Sequence, residues 1–205
     1  MRNIALILLA CIALGCDVRG KVLFVGDSNT VLTAPDLIAA FWTNGVAYEP
    51  SFPAVSGSGY GHALPLNGVP GWAPALAQLD GDAVVLALGL NDCLPGPAGT
   101  NYQNPTQYAA LIDTVIDSLP PSAPIVLVDA PYVTSTSYAF SCIVNVNLAL
   151  QAATARYAPR TTYLNVNNVI NGVSGAKYVD GVHYSPAVRA AVAAAIRNKV
   201  SAVLP

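Results

Sequence analysis

Short unbroken apolar runs alternate along the chain with longer stretches whose apolar residues are spaced for a helix. The runs predict strands over 21–25, 83–88, 125–129 and 161–164, with a weaker one over 46–54. Between them the pattern predicts helices over 34–43, 71–79, 105–119, 144–157 and 186–203. The last has a clear start, because Ser185 can cap it and Pro186 suits its first turn. The strands are apolar at successive positions, so both of their faces are covered. Strand and helix alternation of this kind implies an α/β fold with a parallel sheet between helical layers. Residues 46–67 are rich in Gly, Ser and Pro and read mostly as loop. No repeat and no second domain boundary interrupts 17–205, which we read as one domain.

In an open sheet of this kind the functional crevice lies outside the carboxyl ends of the strands. Three polar stretches fall there: "GDSNT" from Gly26, "SGSGYGH" from Ser56 and "LGLNDC" from Leu88. A fourth, "YVDGVHYSP" from Tyr178, precedes the final helix. Ser28 stands just past a buried strand and is the candidate nucleophile, but a hydroxyl needs a neighbouring base to take its proton. The chain has two histidines. His183 follows Asp180 by three residues in a Gly-containing turn, so the carboxylate can accept from Nδ1 and leave Nε2 facing a serine. His62 has no acid near it in sequence.

Acyl transfer also needs donors aimed at a developing oxyanion. Ser28 supplies its own N–H if a helix begins there, Gly57 allows close backbone approach, and Asn91 offers a side-chain amide. Turns collect Gly, Ser and Asn for ordinary reasons as well. Asp27 and Asp92 lack a histidine partner in sequence and read as turn-ordering hydrogen-bonders.

Together "GDSN", a Gly after the second strand, "GLND" after the third and "DGVH" near the end resemble the four blocks of the SGNH hydrolases, also called GDSL esterases and lipases. The resemblance spans nearly all of the chain after residue 16. It implies Ser28 as nucleophile, Gly57 and Asn91 completing the oxyanion hole with Ser28, and Asp180 and His183 finishing the triad. It also implies a three-layer α/β/α sandwich with a flavodoxin-like parallel sheet of about five strands, acting on short-chain or acetyl esters without metal or cofactor. Asn29 stands where the GDSL name has Leu. Gly57 is chosen because the preceding "VS" matches the family's usual block, with Gly59 as the alternative.

Rival motifs fail. The glycines at 57, 59 and 61 put His62 where a dinucleotide loop needs its third Gly. Thr30 breaks a GxSxG elbow, and two histidines with cysteines at these spacings make no zinc site.

Composition narrows the partners. Charged residues are 10% of the chain against 54% hydrophobic, and the net charge is −2. With no basic patch, nucleic acid is excluded as a partner. The expected partner is a small-molecule or glycan ester, met by a monomer.

The opening "MRNIALILLACIALGC" has one cation and an apolar run of about eleven residues, too short to span a bilayer and suited to a secretory signal. "ALGC" resembles a lipobox that would lipidate Cys16. Plain cleavage near Gly15 is the alternative, and only five residues, Asp17 to Lys21, would tether a lipidated Cys16 to the first strand. After export Cys93 and Cys142 are the one pair left to form a disulfide, the alternative being two buried thiols. The reaction classes are hydrolysis, acyl transfer to a sugar or lipid hydroxyl, or carbohydrate binding on a degenerate site.

Overall fold

The computed structural model describes residues 17–42, 46–62, 76, 78–95 and 105–204. Among them the strands are β1 (Asp17–Gly26), β2 (Val46–Ser51), β3 (Ala83–Ala87), β4 (Ile125–Val128) and β5 (Thr161–Leu164). The helices are α1 (Ser28–Phe41), α2 (Pro105–Asp117), α3 (Phe140–Arg156), α4 (Val166–Gly172) and α5 (Pro186–Ser201). The strands form one parallel sheet in the order β2-β1-β3-β4-β5.

The unbroken apolar strands are buried on both faces, as their pattern requires. Leu23, Val25, Val84, Leu86, Ile125 and Leu127 pack beneath α2 and α3, against Tyr108, Ile112, Val146 and Leu150. Their neighbours Val22, Phe24, Val85, Val126 and Val128 face the other way, onto Leu37 and Phe41 of α1 and Val192 and Ile196 of α5. Phe24 anchors that side, edge-on to Phe41 at 5.3 Å and stacked on Phe52 at 5.0 Å. The result is the expected three-layer α/β/α sandwich with flavodoxin-like strand order.

Three differences from the sequence reading matter for the site. Helix α1 begins at Ser28, six residues before the predicted start, and runs through Pro35. Asp27 makes this possible by capping the helix, its Oδ1 accepting from Asn29 N at 2.9 Å. Strand β1 begins at Asp17 because Asp17 and Val18 pair with Val46 and Ala47, so the expected tether to Cys16 is itself part of the sheet. Helix α4 was not predicted. Its cap, Asn165, accepts from Asn168 N at 2.9 Å. The expected signal segment with Cys16, and most of the predicted helix over 71–79, lie outside the described residues.

Candidate active site

Strand β1 delivers Ser28 as the first residue of α1, where the helix leaves its opening N–H groups unpaired by the helix itself. Ser28 Oγ lies 3.1 Å from His183 Nε2. His183 Nδ1 lies 2.5 Å from Asp180 Oδ2, completing a serine, imidazole and carboxylate line. Asp180 Oδ1 accepts from Val182 N at 3.0 Å and His183 N at 2.8 Å, which curls the "DGVH" turn around its own acid. Gly181 sits in that turn at φ +86°, a conformation L side chains disfavour. The His183 N–H, the His183 ring and the Val182 N–H hold the Asp180 carboxyl well below the usual carboxylate range. It is therefore ionised and able to steady an imidazolium.

Sequence reasoning missed how this pair is pinned. Asn29 is buried, and its Oδ1 accepts from Tyr184 N at 3.1 Å while its Nδ2 donates to Val182 O at 3.4 Å. One side chain beside the serine thus holds the backbone on both sides of His183. The outer side of the turn is held too, because Gly181 O accepts from Thr134 N at 2.9 Å and Ser135 N at 3.1 Å. That loop is fixed in turn by Asn167, whose Oδ1 accepts from Tyr132 N at 2.7 Å and whose Nδ2 donates to Asp129 Oδ2 at 2.9 Å. Asp129 also accepts from Val166 N and Tyr163 Oη, and burial pushes its carboxyl up to about 6.

The candidate oxyanion residues Gly57 and Asn91 are linked through Ser58. Asn91 Nδ2 donates to Ser58 O at 3.0 Å and approaches Asp27 Oδ2 at 3.5 Å. The amide has two hydrogens, and the second contact is long, so one hydrogen remains available to a stronger acceptor. Gly57 occupies the third position of a turn closed by Ser58 N to Val55 O at 3.1 Å, with φ +82° and open space where a Cβ would point. Gly59 differs, because a Cβ there would lie 2.3 Å from Asp92 Oδ1. Of the two glycines, Gly57 is the one with open space beside its Cα.

Asp92 orders this loop. Its Oδ2 accepts from Tyr60 N at 2.9 Å and Tyr108 Oη at 2.6 Å, and its Oδ1 from Gly61 N at 2.9 Å. Asp27 is fully buried beside the serine, and burial pushes its carboxyl up to about 6 against the lowering N–H groups of Asn29 and Thr30. Cys93 and Cys142 form a disulfide, which joins the Asn91 turn to the start of α3. Ala139 N donates to Cys93 O at 3.2 Å across the same junction.

No family model matches the chain, and no curated protein matches it in sequence. Solved structures do. A family 3 carbohydrate esterase from Talaromyces cellulolyticus superposes with a TM-score of 0.64 at 16% identity, covering 90% of this chain and 97% of that one. The chain has the fold of the SGNH hydrolases. The C-terminal catalytic domain of Streptococcus pneumoniae peptidoglycan O-acetyltransferase A shares it, with a TM-score of 0.57 and 20% identity over 92% of this chain and 94% of that one. A member of the lipolytic G-D-S-L family from Veillonella parvula gives 0.61 and 13%, over 87% and 96%.

Within this SGNH fold the aromatic residues of the surrounding loops divide. Tyr60 is fully buried, edge-on to Tyr108 at 5.6 Å, and so belongs to the core. It sits in a Gly-rich stretch, and its backbone N–H is drawn in by Asp92. Tyr138 is half-buried and donates to Asn91 Oδ1 at 3.5 Å. Burial first, then Asp27 and Asp180, push its hydroxyl pKa up and keep it a donor. Tyr132 is exposed, packed on Phe140 at 5.1 Å. Trp72 and Tyr102 lie outside the described residues.

Proposed function

We propose that the chain is a serine esterase that hydrolyses acyl esters through Ser28, His183 and Asp180. The observation that carries this is the unbroken line from Ser28 Oγ to His183 at 3.1 Å and on to Asp180 at 2.5 Å, at the carboxyl edge of the sheet. Ser28 Oγ attacks the ester carbonyl carbon as its proton passes to His183 Nε2. The carbonyl oxygen takes negative charge between the Ser28 and Gly57 N–H groups and Asn91 Nδ2. Collapse expels the alcohol with the proton from His183, leaving an acyl-serine. Water, deprotonated by His183, then attacks that ester, releasing the acid and restoring Ser28.

The His183 side chain is 29% exposed, so bulk water can reach it as the acceptor. A carbohydrate-binding protein on this fold has no use for a histidine aligned between a serine and an ionised carboxylate. Solved structures with this fold include proteins titled carbohydrate esterase and acetyl xylan esterase, which supports small-molecule or glycan esters as substrates.

The protein is exported in this reading, and the Cys93–Cys142 bridge fits an oxidising compartment. Among the described residues no helix is long and apolar enough to cross a membrane. Lipidation at Cys16 would place the Asp17 end of β1 at the bilayer. Ten residues of strand, about 33 Å at roughly 3.3 Å each, would then hold the site on the far side.

A fluorophosphonate should label the protein at Ser28, and Ser28→Ala should abolish both labelling and hydrolysis of p-nitrophenyl acetate. Turnover retained by a clean Ser28→Ala preparation refutes the assignment.

A further inference from the structure

An apolar cavity of about 290 Å³ lies beside the site and has no part in the chemistry described. Its walls are Val25 at the end of β1, Leu88 just past β3, Pro53, Leu76 and Leu79. The remaining lining residues are Gly26, Val55 and Ser58, which belong to the catalytic loops. Gly26 is two residues before Ser28, so the cavity wall comes within about 7 Å of the nucleophile along the chain. Gly26 O accepts from Val55 N at 3.0 Å, and Ser58 O accepts from Asn91 Nδ2 at 3.0 Å. The cavity is therefore walled by Val55 and Ser58, which stand on either side of Gly57 in that turn. Among the described residues no charged side chain lines it.

From this geometry we infer that the cavity is an acyl-chain site and that the preferred substrates carry medium-length aliphatic acyl groups. The inference rests on Ser28 accepting the acyl group. Acetyl has one methyl beyond its carbonyl and would leave almost all of this space empty, and unfilled apolar volume in a folded protein is unfavourable. A cavity of about 150 Å³ accepts a benzene ring, so one twice as large holds a chain of about six to ten carbons. At its outer wall Val55 is 66% exposed. Each methylene drawn in from water is worth about fourfold in binding. The chain length that saturates the cavity should therefore stand out clearly in kcat/KM.

The test is a series of p-nitrophenyl esters from acetate to dodecanoate, run on the wild type and on Leu79→Phe, which narrows the cavity from its partly buried wall. Leu76→Phe, on the same wall and away from the catalytic loops, is the second variant should Leu79→Phe fold poorly. The expected result is a rise of at least tenfold in kcat/KM from acetate to octanoate, then a fall beyond about ten carbons. Either variant should move the optimum to shorter chains and leave acetate turnover unchanged. A rate that falls steadily from acetate overturns the inference, and so does a medium-chain optimum that neither variant moves.

Calorimetric titration of Ser28→Ala with octanoate reads the cavity without the chemistry. Binding that is weakened in the Leu79→Phe background supports the site even if no ester is turned over, a result that would remove the esterase reading alone. Octanoate binding no tighter than acetate overturns the cavity assignment while leaving that reading intact.

Discussion

Replacing Asn29 with Leu, the residue of the GDSL name, removes the one side chain that bonds the backbone on both sides of His183. The Tyr184 N–H it satisfies is buried, and an orphaned buried donor costs about 1–3 kcal/mol. The bond to Val182 O is longer, at 3.4 Å, and part-buried, so its loss adds little. About 2 kcal/mol in a domain of this size lowers Tm by about 4–8 °C. The larger effect should be kinetic. The Oγ to Nε2 distance of 3.1 Å depends on two chain segments 155 residues apart, and Asn29 bonds one to the other directly. A shift of about 1 Å in a catalytic group costs about 10² in rate. Asn29→Leu should therefore lower kcat by about 10- to 100-fold, with little change in KM and a parallel slowing of fluorophosphonate labelling. Leu37→Ala separates the two causes. It sits on the same helix, is buried in the core and should cost 2–5 kcal/mol, yet its kcat well below Tm should stay near wild type. If Asn29→Leu loses Tm but keeps wild-type kcat, the bonds are structural and the positioning argument fails.

Asp180→Asn should reduce kcat by about 10⁴ with the fold retained, since the imidazole loses the partner that sets its tautomer, and a loss below tenfold would remove Asp180 from the triad. Cys93→Ser with Cys142→Ser should lower stability by about 4 kcal/mol, as read from a urea midpoint, because the bridge closes 49 residues, and it should also lower kcat because Cys93 stands two residues from Asn91. Intact kcat there would mean that the Asn91 turn holds itself. Asp27 and Asp129 titrate near 6 in the folded protein, above the ordinary carboxylate value, so folding favours their protonated forms. Their contribution to stability is complete below about pH 4 and is lost as pH rises through about 6, while Asp180 acts in the opposite sense at lower pH. The urea midpoint should thus be higher at about pH 5 than at about pH 7, and Asp27→Asn should shrink that difference. A midpoint that rises from pH 5 to pH 7 refutes the sign.

The strands were legible because burial on both faces leaves unbroken apolar runs, and β5 was read to the residue. The start of α1 was not. Ser28, Asn29 and Thr30 favour caps and turns, and Pro35 looks like a stop, so local preference argues against a helix there. It exists because Asp27 caps it and Asn29 is fixed by the His183 turn, which is a tertiary cause. Helix α4 stayed hidden for a similar reason, since "NVNNVING" is too rich in Asn to show a helical stripe. The candidate triad was legible because its chemistry restricts residue types and the chain offers two histidines. Asn29, Asp129 and Asn167 were not, because they bond to backbone atoms 35–155 residues away and follow no local pattern.

These long-range bonds close a ring. The Gly26 turn holds Val55, and Ser58 in the same loop holds Asn91. Cys93 is joined to Cys142 and to Ala139 N, at the end of the loop whose Thr134 and Ser135 hold Gly181. Val182 and Tyr184 return to Asn29, beside Ser28. Each loop at the carboxyl edge of the sheet is thus bonded to the next, although the loops lie far apart in sequence. A single loop could carry a serine or a histidine, but at loop mobility it could not keep Oγ and Nε2 at hydrogen-bond distance. Donors fixed before substrate arrives need no reorganisation when charge develops, which is where electrostatic stabilisation gains most of its effect. The ring explains why the residues that chemistry needs are few and readable, while those that hold them are many, buried and mostly Asn and Asp. A short side chain with both donor and acceptor, or two acceptors, is what links one backbone to another across a crevice.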